Sequence, residues 1–282
     1  MPAYSGPTVT LASAAVMPQL GFGVWRVDDD GAEASVAVAL KAGYRSIDTA
    51  SLYRNEPGVG RSLRAAEADG VSREDVFVTT KLGNPDQGYD STLAAFEASA
   101  ERLGLDVVDL YLIHWPRPTI DLYVPTWKAL IRLRDEGRIT SIGVSNFEPE
   151  HLDRLIIETG ETPAINQIEL HPYFQQRRLR EYHAEHGILT EAWAPLGANR
   201  TSLLTDPVVT GIAERNGLTA AQAVLAWHLA RGIVAIPKSV TPSRIAENLA
   251  AQDVSLPEED LAAIDALDDP DGRTGMNPLT NN

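Results

Sequence analysis

Short apolar runs and amphipathic stretches take turns along almost the whole chain, and this regular alternation restricts the possible folds more than any other feature. The strand candidates are Gln19–Trp25, Ser46–Asp48, Val76–Lys81, Val108–His114, Ser141–Ser145, Ala164–Ile168, Leu189–Ala192 and Gly232–Ile236. Between them lie stretches such as Ala32–Ala42, Ser91–Leu103, Pro125–Glu136, Pro149–Thr159 and Thr219–Ala230, with apolar residues at three- and four-residue intervals. Eight β-α units in 282 residues are close to the length of a closed (β/α)8 TIM barrel, roughly 250 residues, and favour closure over an open sheet. The fold class expected is α/β, one domain spanning residues 1–282.

Local signals agree with that frame. Asp28 to Gly31 precede one helix, and Thr219 is placed to cap another. Gly43, Gly104, Gly137 and Gly187 stand just past predicted helix ends, where a left-handed residue is wanted. Thr8–Leu11 and Ala15–Met17 are predicted to pair as a short N-terminal hairpin closing the barrel floor. No linker or low-complexity tract marks a second domain, and the tail Asp268–Asn282 is expected to lie as a loop over one end of the barrel.

Composition narrows the function classes. With Lys+Arg 24 against Asp+Glu 39 the net charge is 24 − 39 = −15, which disfavours nucleic acid and anionic membranes as partners. Any local cluster of cations in such an acidic chain is therefore informative. Having no cysteine, the chain has neither disulfides nor thiolate chemistry. The first residues carry no Lys or Arg before a stretch broken by Pro18, which points to a cytoplasmic protein.

In a barrel, chemistry belongs at the C-terminal ends of the strands. Asp48 closes YRSID, Lys81 closes VFVTTK, His114 closes VVDLYLIH, and Tyr53 follows five residues behind Asp48. Singly, each has an ordinary explanation: a helix cap, a snorkelling amine, a packed turn. Together an acid, an amine, an imidazole and a phenol form a proton-donating set. A carbonyl receiving a hydride becomes an alkoxide and needs a proton. A neighbouring ammonium is expected to lower the pKa of the Tyr53 phenol, with Asp48 keeping Lys81 charged and a neutral His114 orienting the substrate oxygen.

With these residues located, the chain resembles the aldo-keto reductase superfamily, and within it the bacterial 2,5-diketo-D-gluconate reductase-like group. The resemblance rests on GYRSIDTASLYRNEPGVG at Gly43–Gly60, LYLIHWP at Leu110–Pro116, IGVSNF at Ile142–Phe147, INQIELHPY at Ile165–Tyr173 and IPKSVTPSRIAEN at Ile236–Asn248. It implies that Asp48, Tyr53, Lys81 and His114 form the catalytic tetrad, with Tyr53 as general acid. It implies that Ser145, Asn146 and Gln167 hold a nicotinamide carboxamide and that the ring stacks on Trp193, where many relatives carry Tyr or Phe. Pro195, Leu196 and Gly197 join the cofactor set, and Lys238, Ser239, Val240, Thr241, Arg244, Glu247 and Asn248 match the adenosine end. Lys238 and Arg244 suit a 2′-phosphate, so NADPH is the cofactor implied.

No metal is expected, since the six His residues form no paired-ligand pattern, and Gly58 and Gly60 are read as packing the second loop. Trp25, Trp115 and His114, with Tyr53 and the tail around Met276, Pro278 and Leu279, are expected to line an apolar substrate pocket. The resemblance implies that specificity is set by Gly83–Gly88, Ala198–Thr205 and the tail, and that Gly83 leaves space where bulkier relatives carry a ring, so an open pocket for small aldehydes, ketones and dicarbonyls is expected. The chain is expected to work as a monomer. Two other readings are a Schiff-base aldolase using Lys81 and a non-catalytic nucleotide-binding regulatory subunit.

Overall fold

Eight parallel strands run in sequence order around one sheet: β3 (Phe22–Gly23), β4 (Ser46–Asp48), β5 (Phe77–Leu82), β6 (Val108–Ile113), β7 (Ile139–Ser145), β8 (Ile165–Glu169), β9 (Leu189–Trp193) and β10 (Val234–Ala235). The structure is a computed structural model that describes residues 4–199 and 201–280. Met1 to Ala3, Arg200 within the expected Ala198–Thr205 loop, and Asn281 and Asn282 of the tail lie outside the described residues.

The sheet closes on itself. Leu20, just ahead of β3, bridges Ala235 of β10 in parallel. Gly21 N–H donates to Ala235 O at 2.9 Å and Ala235 N–H to Gln19 O at 3.0 Å. The two seam strands are shorter than the expected Gln19–Trp25 and Gly232–Ile236. Pro237 explains part of this, because it accepts from Gly23 N–H at 3.1 Å but has no N–H to return, so the ladder stops.

The helices α1 (Asp29–Ala42), α2 (Glu56–Ala68), α3 (Tyr89–Leu103), α4 (Tyr123–Asp135), α5 (Pro149–Thr159), α6 (Arg177–Glu185), α7 (Pro207–Asn216), α8 (Ala220–Ala230), α9 (Pro242–Leu249) and α10 (Glu258–Asp265) surround the sheet. Their starts follow from side-chain caps. Asp28 accepts from Gly31 N–H, so α1 begins three residues earlier than predicted, and Thr219 and Gln222 form a reciprocal capping box on α8. Gly58 and Gly60 lie inside α2 rather than in a loop before it. A Cβ on Gly58 would stand 2.1 Å from Asp29 O and one on Gly60 2.3 Å from Leu103 O, so their bareness lets α2 press against its neighbours.

The hairpin forms as β1 (Thr8–Thr10) and β2 (Val16–Pro18). Its Leu11 and Met17 are buried with Phe77, Leu110, Leu112, Ile165 and Val234, and Leu189 packs against them. These residues include the first residues of β5, β8, β9 and β10, so the hairpin plugs the N-terminal end of the barrel with apolar side chains. The polar interior lies above this plug, toward the opposite end. There the tail crosses the mouth: Thr274 and Gly275 donate backbone N–H groups to Glu169, the last residue of β8, at 2.7 and 2.9 Å.

Candidate active site

Because side chains alternate along a strand, Asp48 on β4 and Lys81 on β5 both point inward near the strand ends. Lys81 is fully buried, its Nζ donating to Asp48 Oδ1 at 2.6 Å and to Thr49 O at 3.0 Å. The ammonium lies 5.2 Å from the centre of the Tyr53 ring, and His114, just past β6, meets that ring edge-on at 5.7 Å. All four residues singled out from the sequence are thus neighbours. Tyr53 sits on a short 3₁₀ turn, Ser51–Tyr53, held by Asn55. Asn55 Oδ1 accepts from Thr49 Oγ1 at 2.7 Å, and its Nδ2 donates to Val24 O and Val27 O at 2.9 and 2.8 Å. Sequence reading passed over Asn55, although it stands two residues behind Tyr53.

Electrostatics correct one expectation. Burial raises the Tyr53 phenol above its ordinary pKa, with Asp48 and Glu191 adding to the rise, and the Lys81 ammonium opposes but does not reverse it. Burial disfavours the charge on Lys81 too, but Asp48 and Tyr53 outweigh that and hold it above its usual value. Burial and the Lys81 charge push His114 down to about 3, so its imidazole is neutral as expected, and its Nδ1 is buried without a partner among the described residues.

Next to this group lies a second one. Ser145 Oγ donates to Gln167 O at 2.8 Å, Asn146 Nδ2 to His114 O at 3.0 Å, and Trp193 Nε1 to Asn146 Oδ1 at 2.8 Å. Asn146 holds a left-handed backbone, φ 63°, which aims its amide between β7 and β9. Gln167 Nε2 donates to Asp48 Oδ2 at 2.8 Å and to Glu191 Oε2 at 2.9 Å, which leaves its Oε1 as the atom it can offer a ligand. The Trp193 ring is half-buried, and a Cβ on Gly275 of the tail would stand 2.5 Å from it. Beyond β9, left-handed Ala194 and Gly197 fold Pro195, Leu196 and Gly197 into a tight turn, and Pro195 O lies 3.1 Å from His228 Nε2.

After β10 the chain reaches the start of α9. Lys238, Val240, Thr241 and Arg244 are exposed there, Ser239 Oγ accepts from Thr241 N–H at 3.1 Å, Glu247 is half-buried and Asn248 is buried. Among the described residues, Lys238 and Arg244 enter no ion pair.

The substrate-side residues are less convergent. Trp25 is 38% exposed and stacks with Arg26 at 4.3 Å, whereas Trp115 is buried and its carbonyl accepts from Gln87. Met276 and Leu279 are exposed and Pro278 is buried. Gly83 does not leave open room: it is buried, and a Cβ there would meet Asp86 Oδ2 at 2.7 Å. Two acids escaped sequence reading. Glu191 is fully buried, raised to about 8 by burial and by Asp48. Glu169 holds the tail; burial pushes its carboxyl up, but hydrogen bonds from His171, Thr274 and Gly275 outweigh this and keep it below the usual range. The only signal for either was an acid on the inward period of a strand.

Residues 19–269 match the model of the Aldo/keto reductase family. The methylglyoxal reductase DkgA of Salmonella typhimurium is 51% identical over 265 residues, covering 94% of each chain. The crystal structure of an aldo/keto reductase from Brucella melitensis is 53% identical with a TM-score of 0.90, covering 94% of this chain and 99% of that one. A Bombyx mori aldo-keto reductase solved in complex with NADP is 34% identical with a TM-score of 0.87, covering 93% of each.

Proposed function

Since the chain belongs to the aldo/keto reductase family, we propose that it reduces small aldehydes, ketones and dicarbonyls to alcohols with NADPH, Tyr53 donating the proton. The observation that carries this reading is the buried Lys81–Asp48 pair lying against the Tyr53 ring with a neutral His114 beside it.

The residues present fit the cofactor. Two exposed cations without an ion-pair partner among the described residues, Lys238 and Arg244, stand at the start of α9 in a chain of net charge −15 and suit a 2′-phosphate. Trp193 offers a half-buried ring, while Asn146 and the Gln167 Oε1 supply polar groups for a carboxamide. NADPH, when bound, supplies the hydride to the carbonyl carbon.

The chain's own residues deal with the oxygen. As negative charge grows on it, the Tyr53 O–H donates, and the Lys81 ammonium stabilises the phenolate left behind. Asp48 keeps that ammonium charged and aimed, and the uncharged His114 orients the oxygen without competing for Lys81. An aldolase role suits the site less well, because Schiff-base chemistry needs a neutral, reachable amine and Lys81 is buried, charged and bonded to Asp48. The test is NADPH oxidation with methylglyoxal or phenylglyoxal. Tyr53→Phe should lower kcat by roughly 10²–10⁴-fold while leaving NADPH affinity nearly unchanged. A variant retaining most of its rate would remove Tyr53 as the donor.

A further inference from the structure

β9 carries an acid that the chemistry above does not use. Glu191 faces the barrel interior, level with Gln167 across the β8–β9 ladder and with Val234 across the β9–β10 ladder. Leu189, one step below on the same face, packs on the apolar plug. Gln167 Nε2 serves Oε2 at 2.9 Å, and Oε1 is buried with no partner among the described residues. An ionised carboxylate with one oxygen unserved in such a place is strongly disfavoured, and the carboxyl is therefore neutral through neutral pH.

We infer that Glu191 is a positioning residue: it anchors one N–H of the Gln167 amide, so that the other holds Asp48 with its second oxygen turned to Lys81. The amide has two hydrogens and both are engaged, one on Asp48 Oδ2 at 2.8 Å and one on Glu191. Without an acceptor at 191 the amide is free to rotate. Asp48 then loses the contact that fixes its plane, and with it the direction in which Lys81 is held toward Tyr53. The inference rests on the reductase reading.

The charged and titratable groups that face Glu191 are Asp48 on β4, Lys81 on β5 and Tyr53 in the loop behind β4, with the neutral His114 beyond them. From β8 the neighbour is the uncharged Gln167; Glu169, further up, is occupied by the tail. β10 offers the apolar Val234. Above about pH 8 Glu191 gives up its proton, and the added charge makes Tyr53 a poorer donor, so reduction declines.

The experiment compares wild type, Glu191→Gln and Glu191→Leu. In infrared difference spectra of the protein titrated across pH 8 without substrate, a protonated-carboxyl band should disappear in wild type and be missing from Glu191→Gln. In NADPH-dependent reduction of methylglyoxal, Glu191→Leu should lower kcat/KM roughly tenfold to a hundredfold through misorientation, and Glu191→Gln, which keeps an acceptor oxygen, by less than about threefold. The alkaline decline near pH 8 should move upward in Glu191→Gln. Equal losses in the two variants, or an unchanged decline in Glu191→Gln, would overturn the role. A wild type with no reductase activity would sink the reductase reading and this role with it, and the infrared band would still report separately whether Glu191 is protonated.

Discussion

Replacing Asp48 by Asn removes one charge from the interior and almost no volume. The Lys81 ammonium would then be left fully buried without the Asp48 counter-charge, with Thr49 O at 3.0 Å and at most the neutral amide oxygen of the new side chain as acceptors. Breaking a buried ion pair by neutralising one partner costs about 3–5 kcal/mol, because the surviving charge has no compensation. At about 2 °C per kcal/mol for a chain at the large end of domain sizes, the Tm falls by roughly 6–10 °C. Glu191 can soften the loss: with Asp48 neutral, one cause of its raised pKa is gone, and its carboxylate can partner Lys81 across Gln167. The full cost should therefore appear in a Glu191→Gln background. Adding Lys81→Met to Asp48→Asn removes the orphaned charge and should recover most of the stability with no return of activity. Circular-dichroism melts at pH 7 on this set measure it. If Asp48→Asn in the Glu191→Gln background melts within about 1 kcal/mol of its parent, or the double replacement is no more stable than Asp48→Asn, the ammonium is not held by this pair.

Two other substitutions probe the cofactor side. Arg244→Ala should weaken NADPH binding far more than NADH binding, since only NADPH carries a 2′-phosphate; fluorescence titration giving equal losses would remove the basis for the preference. Gly275→Leu should push the Trp193 ring, already 2.5 Å from where a Cβ would sit, and raise the Kd for NADPH by about tenfold or more with little change in Tm. An unaltered Kd would show that the tail does not set the ring's position.

Much of the barrel was legible because inward and outward residues of parallel strands are both buried, so each strand is an apolar run closed by one polar residue that reaches the mouth. Asp48, Lys81 and His114 announce themselves that way. Glu191 does not, because it lies inside LTEAW, and Glu169 does not, because it ends INQIE behind two other polar letters; only the closed sheet shows which face each one takes. The seam strands were read as too long because the ladder's end depends on Pro237 meeting Gly23 across the first and last strands, a contact remote in sequence. Gly83 was misread for a related reason. Its bareness is matched by Asp86 and Ser51 folding over it, which no single sequence position reveals.

On the proposed mechanism the raised phenol bears on how each direction of the reaction depends on pH. With Tyr53 as the donor proposed above, reduction requires it to carry its proton and alcohol oxidation requires it to accept one. A phenol raised above its ordinary value stays protonated throughout neutrality and loses its proton only as the pH climbs past that raised value. On the proposed mechanism Lys81 would then supply no resting phenolate and would act as charge appears, stabilising the product of proton transfer while burial keeps the donor loaded. The expected outcome is that kcat/KM for oxidation with NADP⁺ rises steadily with pH above neutrality while reduction stays level until Glu191 ionises. Oxidation with its optimum at or below pH 7 would mean that the phenol is already acidic at rest, and that the ammonium outweighs the burial that the barrel imposes on residue 53.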